Sequence, residues 1–384
     1  MNILIYGINI SPQAGGGERL SYNLAKGLSK KGHTVFLSCR IPVPTDCPYT
    51  PDPFKKIIQV ADLAEESRKR FLDFLKDNHI DAVINNCADY LNDTEFIRSI
   101  RKDCGFTLIS NMLCSPMSYQ SSYAYKNIRF PALYLRAWFK QIARVFYPID
   151  TIRLKTAFDS ADRTVFLSEH FIDDFKRITS CDAPPRKVLA IPNIRTYCSE
   201  AGPEDLAQKK KTVLLVARLN EIHKRVSYAL RIWKKIMEVR QDWTFVVVGD
   251  GPQKQYYEKM VEKQKIGNVV FTGTQDPLQY YRDASIFMMT SVSEGIPMVL
   301  VDSSTFGVVP VVLNTFSSLP DIVEDQESGF IVPDGRMDQF AEKVLFLMDN
   351  PSVREKMALK AISMSRKFSE DIVIDKWNDL LTVR

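Results

Sequence analysis

No stretch of this 384-residue chain approaches the roughly 18 uninterrupted apolar residues that a membrane-spanning helix needs, so no transmembrane helix is expected. The seven cysteines include no C-x-x-C pair and no histidine at metal-ligand spacing, which excludes a structural zinc site and fits a reducing compartment. No G-x-G-x-x-G follows the first apolar strand, and no acidic residue closes the second at Ser38-Cys39-Arg40. Hydride transfer from a dinucleotide is therefore disfavoured. The first residues, Met1 to Gly7, lack a basic segment before a long apolar one and read as a buried strand, so a cytoplasmic protein is expected. A net charge of +5 over this length is too mild to argue for nucleic acid.

Short apolar strands instead alternate with segments of helical period, the pattern of parallel α/β units with helices on both sheet faces. One series is expected at Asn2 to Gly7, Thr34 to Cys39, Asp81 to Asn86, Phe106 to Leu113, Arg163 to Ser168 and Val188 to Asn193. A second is expected at Thr212 to Arg218, Thr244 to Asp250, Asn268 to Gly273, Ser285 to Ser291 and Val308 to Leu313. The polar stretch Arg195 to Lys211, with Gly202, Pro203 and three consecutive lysines, separates them as a linker. This divides the chain into domains 1–197 and 198–368, with a terminal helix over 369–384.

The most informative segment is Ser293-Glu294-Gly295-Ile296-Pro297-Met298-Val299-Leu300-Val301-Asp302, two carboxylates flanking a turn and an apolar run. A strand leads into it and Pro297 suits a helix start, so free backbone N–H groups and the positive helix end meet there. Such a place binds anions, and an acid beside it must serve something else, such as sugar hydroxyls. Together they indicate a nucleotide sugar. Arg218 ends a strand and Lys224 follows near the next helix start, and two cations at strand carboxyl ends can hold a diphosphate and stabilise charge developing on it. Gly249-Asp250-Gly251-Pro252 closes the following strand with a sharp turn.

The order Arg218 and Lys224, Gly-Asp-Gly-Pro, Phe271-Thr272-Gly273, Ser293-Glu294-Gly295, Leu319-Pro320-Asp321 and Gly329 to Pro333 resembles the second domain of the family 4 (group 1) retaining glycosyltransferases. Gln13 to Arg19, with glycines 15 to 17, and Gly32-His33-Thr34-Val35 resemble the first-domain signature of that family. The resemblance implies the GT-B fold: two Rossmann-like, doubly wound parallel-sheet domains facing a central cleft, with the last helix returning to the first domain. It implies catalytic roles for Glu294, Arg218 and Lys224, and donor contacts from Gly16, Gly17, Gly251, Gly273, Thr274, Gly295, Ile296, Met298, Val299 and Asp302. No D-x-D sequence occurs, which favours a reaction without metal or cofactor.

Two departures accompany the resemblance. The family's second glutamate is Asp302 here, about 1.5 Å shorter in reach, and loss of a charge-assisted bond of roughly 1.5–3 kcal/mol would weaken donor binding about 10- to 150-fold. Many members also carry a histidine after the strand Phe106 to Leu113, whereas this chain reads Ser110 to Pro116 without one, leaving Asn111, Ser115 or a backbone carbonyl on the acceptor side. Residues 117–149 hold five basic side chains and no acid; Arg136, Lys140 and Arg144 form a helical stripe beside an apolar one. That stretch, 126–146 in particular, is either a peripheral membrane contact with anionic lipid at the inner face or a helix packed on its own domain. The reading is a glycosyltransferase acting on a saccharide or lipid-linked acceptor in cell-surface polysaccharide synthesis. A non-catalytic nucleotide-sugar-binding subunit and a sugar-nucleotide epimerase are the alternatives.

Overall fold

Thirteen strands and the helices between them build two parallel sheets in the computed structural model, which describes residues 1–9, 16–41, 52–119 and 149–382. The first sheet holds β1 (Asn2–Gly7), β2 (Thr34–Cys39), β3 (Ile57–Gln59), β4 (Ala82–Asn85), β5 (Thr107–Met112), β6 (Arg163–Phe166) and β7 (Val188–Ala190), in the order β3-β2-β1-β4-β5-β6-β7. The second holds β8 (Thr212–Val216), β9 (Thr244–Val248), β10 (Val269–Gly273), β11 (Ile286–Met289), β12 (Val309–Asn314) and β13 (Phe330–Pro333), in the order β10-β9-β8-β11-β12-β13. All the named strand pairs are parallel.

Both sheets are buried on both faces, which is why their strands read as apolar runs and not as alternations. In β1, Ile3 and Ile5 join a core with Leu24, Leu28 and Trp377, while Leu4 and Tyr6 join another with Phe71 and Phe96. The second sheet packs Val213, Phe245 and Val311 against Trp233, Trp243 and Phe340. Every strand expected from the sequence is present, most of them shorter. The sequence pattern does not predict β3, and it shows β13 only as a motif.

The described residues divide into two units, one up to 119 together with 149–194 and 368–382, the other 195–367. In the first, the helix Glu370–Thr382 lies against the helix Gly16–Lys30. Gly27 lets them approach, since a Cβ there would overlap Ile374. Lys30 pairs with Glu370 at 2.5 Å, Lys31 with Asp375 at 2.6 Å, and the His33 ring contacts Asn378 at 3.0 Å. Among the described residues no helix is long and apolar enough to cross a membrane. The basic stretch 126–146 lies outside the described residues.

Candidate active site

In the second sheet β8 lies between β9 and β11, so the connections leaving its carboxyl end diverge there, the place where open α/β sheets form a ligand crevice. Arg218 stands two residues beyond β8 and is exposed. Asn220 then caps a one-turn helix, Glu221–Lys224, its side-chain oxygen accepting the Ile222 N–H at 3.0 Å. The turn delivers Lys224 toward the segment after β11, where its Nζ meets Glu294 Oε1 at 2.5 Å. Both side chains are largely covered, 23% and 12% exposed, so the pair is screened less than a surface ion pair. Seventy residues separate the two in sequence.

Glycines hold the neighbouring loops close. A Cβ on Gly251 would sit 2.5 Å from the Leu219 carbonyl oxygen, and Gly249, at φ +134°, has no room for one beside Ala217. Backbone bonds fill the gap: Ala217 N to Val248 O at 3.0 Å and Leu219 N to Asp250 O at 2.8 Å. The structure thus shows Gly-Asp-Gly-Pro packed against the loop that carries Arg218. Gly249 N also donates to Gly273 O at 2.9 Å, and Gly273 itself has φ +73°, so the loops after β8, β9 and β10 are stitched in one row, with Thr274 exposed beyond it.

On the other side of the crevice, the Ser318 hydroxyl donates to the Gly295 carbonyl at 2.6 Å and Thr315 to Ser291 O at 2.6 Å, fixing the turn that bears Glu294. Ile296 is buried and anchors the same turn. Pro297 is the cap of the helix Met298–Thr305, whose first N–H groups, at Met298 and Val299, have no partner within the helix. Asp302 lies in the second turn, 4% exposed, and its Oδ1 accepts the Thr196 N–H at 2.9 Å. No spacing in the sequence points to that bond with the linker.

His223 has no motif to recommend it, yet it precedes Lys224 in the same turn and its carbonyl accepts the Val292 N–H at 2.8 Å. Burial, then the Lys224 charge, holds the His223 pKa below the ordinary histidine range, with Glu294 opposing. Arg225 and Thr290 also belong to this neighbourhood, Arg225 Nε donating to the Thr290 carbonyl, and no spacing in the sequence marks either.

In the first unit, Gly16 and Gly17 open the helix Gly16–Lys30. Asn111, on β5, donates through Nδ2 to Asn86 Oδ1 at 2.8 Å, and Asn86 Nδ2 donates to the Ser21 hydroxyl at 2.7 Å. Asn111 lines a cavity of about 20 Å³, room for one water. Ser115 is buried, its hydroxyl accepting the Met117 N–H at 3.2 Å.

Residues 200–364 match the family model described as "Glycosyl transferases group 1". An uncharacterized glycosyltransferase of Haemophilus influenzae is 26% identical over 220 residues, 53% of this chain and 62% of the relative. The amylovoran biosynthesis glycosyltransferase AmsD of Erwinia amylovora is 26% identical over 227 residues, 58% of this chain and 62% of the relative. The matched part of each thus falls short of two thirds of its length. Among solved structures, HepE of Anabaena in complex with UDP and glucose aligns over all of both chains with TM-score 0.75 at 13% identity. The sucrose-phosphate synthase of Thermosynechococcus elongatus aligns over 99% of this chain and 98% of its own with TM-score 0.76 at 15% identity, a likeness of fold. The match to the group 1 glycosyl transferases thus lies within residues 200–364, and the chain that carries them has the GT-B fold.

Proposed function

We propose that this protein is a retaining, metal-independent glycosyltransferase that moves a sugar, of hexosyl type, from a nucleotide diphosphate to a saccharide or lipid-linked acceptor in bacterial-type cell-surface polysaccharide or lipopolysaccharide synthesis. The observation that carries the reading is the meeting of Lys224 with Glu294 at the β8/β11 switch point, one loop away from Arg218. A cation pair and a carboxylate in one crevice suit a substrate that is anionic at one end and hydroxylated at the other.

In the proposed step the bond from the anomeric carbon to the diphosphate oxygen breaks while the acceptor oxygen bonds to that carbon from the same face. The acceptor's proton passes to the departing phosphate. Arg218 and Lys224 stabilise the negative charge that grows on the diphosphate, and Glu294 orients the sugar hydroxyls. The N–H groups at Met298 and Val299 face the phosphates, and the row Gly251, Gly273, Thr274 borders the nucleoside. Asn111 and Ser115 are assigned to the acceptor, and Gly16 and Gly17, at the start of their helix, to the donor. Support for the substrate class comes from the relatives: one is named for amylovoran biosynthesis, and a Campylobacter jejuni relative, 22% identical over 197 residues, is named for an undecaprenol-linked acceptor. A lipid-linked acceptor also suits a peripheral place at the inner membrane face.

The test is a transfer assay over a panel of UDP- and GDP-sugars with saccharide and undecaprenyl-diphosphate-sugar acceptors, UDP-glucose first. Product should form with the anomeric configuration of the donor kept, in the presence of EDTA. Glu294→Ala or Arg218→Ala should lower kcat at least 100-fold, the scale of one lost contact to transition-state charge. Near-wild-type turnover in either variant, or an inverted product, overturns the assignment.

A further inference from the structure

Arg225 follows Lys224 directly and adopts φ 46°, ψ 48°, the left-handed region that glycine enters freely and a long side chain does not. It is the C-cap of the Glu221–Lys224 turn and precedes the helix Val226–Met237, a joint where glycine would serve the backbone better. The side chain accounts for the exception. Arg225 is 4% exposed; Nη2 and Nη1 reach the Asp334 carboxylate at 2.9 and 3.3 Å, and Nε donates to the Thr290 carbonyl at 3.2 Å. The Thr290 hydroxyl in turn lies 3.0 Å from Lys224 O and 3.1 Å from Arg225 O. Asp334 follows β13 and Thr290 follows β11, so one guanidinium ties the Lys224 turn to two strand ends.

We propose that Arg225 is a positioning residue: it holds the Glu221–Lys224 turn in register with the segment after β11 and so sets the Lys224–Glu294 contact. The consequence for activity rests on the glycosyltransferase reading above; the consequence for geometry does not. The buried cation is matched by Asp334, so it adds no net charge to the crevice, and its effect passes through the placement of Lys224.

Three variants separate this from a role in stability alone. Arg225→Gly keeps the left-handed backbone and deletes the guanidinium; Asp334→Asn keeps the arginine and deletes its counter-charge; Arg225→Lys keeps a charge without the fork. In crystals of Arg225→Gly, Lys224 Nζ is expected more than about 4 Å from Glu294, beyond ion-pair reach, or in several conformers. A Lys224–Glu294 contact unchanged in that structure overturns the proposal, whether or not any donor is turned over. With a donor identified for the wild type, Arg225→Gly and Asp334→Asn should lose at least tenfold in kcat with donor KM moving less than threefold. Arg225→Lys should recover part of kcat at no higher melting temperature. Wild-type kcat in Arg225→Gly, or losses that only follow the folded fraction, likewise overturn it.

Discussion

At the carboxyl ends of β4 and β5, Asn111 donates to Asn86 and Asn86 to Ser21; at those of β8 and β11, Lys224 faces Glu294. The two sheets share parallel pairing and a switch point next to their first strand, so backbone topology does not explain the difference. An amide chain makes neutral hydrogen bonds, each worth about 0.5–1.5 kcal/mol net. A largely covered cation and carboxylate can each act on charge and hydroxyls of a substrate in a low-dielectric crevice. The chemistry belongs to side chains on loops, and a shared scaffold leaves it free to differ between units.

The sharpest way to break this comparison is to remove one member from each crevice. Lys224→Met should lower kcat at least 100-fold, whereas Asn111→Ala should cost less than about tenfold, as neutral hydrogen bonds do. Steady-state kinetics with a matched donor and acceptor decides it, and equal losses would erase the distinction between the units.

A smaller effect is expected from loop packing. Gly249 has φ +134° and the Ala217 carbonyl against it, whereas Gly32 in the first unit has φ +85° and open space, with no atom within 4 Å of where a Cβ would stand. Gly249→Ala should therefore cost roughly 1–3 kcal/mol for backbone strain and about as much for overpacking, with Gly32→Ala costing the strain alone. Urea midpoints of the two variants check this, and a Gly32→Ala as damaging as Gly249→Ala would refute the packing account.

The mildest expected effect is on pH dependence. His223 has a folded pKa below its ordinary 6.5, so just under that pH the unfolded chain binds more protons than the folded one. Stability should then fall as pH drops through about 6.5, until the folded imidazole titrates as well. His223→Gln should flatten that slope between about pH 7.5 and 5.5 in urea unfolding, and an unchanged slope would show that other groups carry it.

Strand positions and sheet type are largely legible because buried parallel strands leave apolar runs, as in Ile3 to Tyr6. The candidate site residues Arg218, Lys224 and Glu294 are legible as motif members. Their pairing is not, since a contact across 70 residues leaves no local period. Asp302 shows the same limit: the sequence predicts a carboxylate for the donor, and the structure shows its Oδ1 bonded to Thr196 N. Arg225 is invisible in the sequence because its left-handed backbone and its bond to Asp334 exist only once β11 and β13 lie in one sheet.

Local patterning by itself determined the alternating α/β order, the apolar strands and the presence of a diphosphate-like motif set, because period and composition act within a few residues. Tertiary structure decided that Lys224 meets Glu294, that Gly251 makes room for Leu219, and that an arginine stands where a glycine would suit the backbone. Those are contacts between loops from different strands, and only the assembled sheet brings their ends within hydrogen-bonding reach.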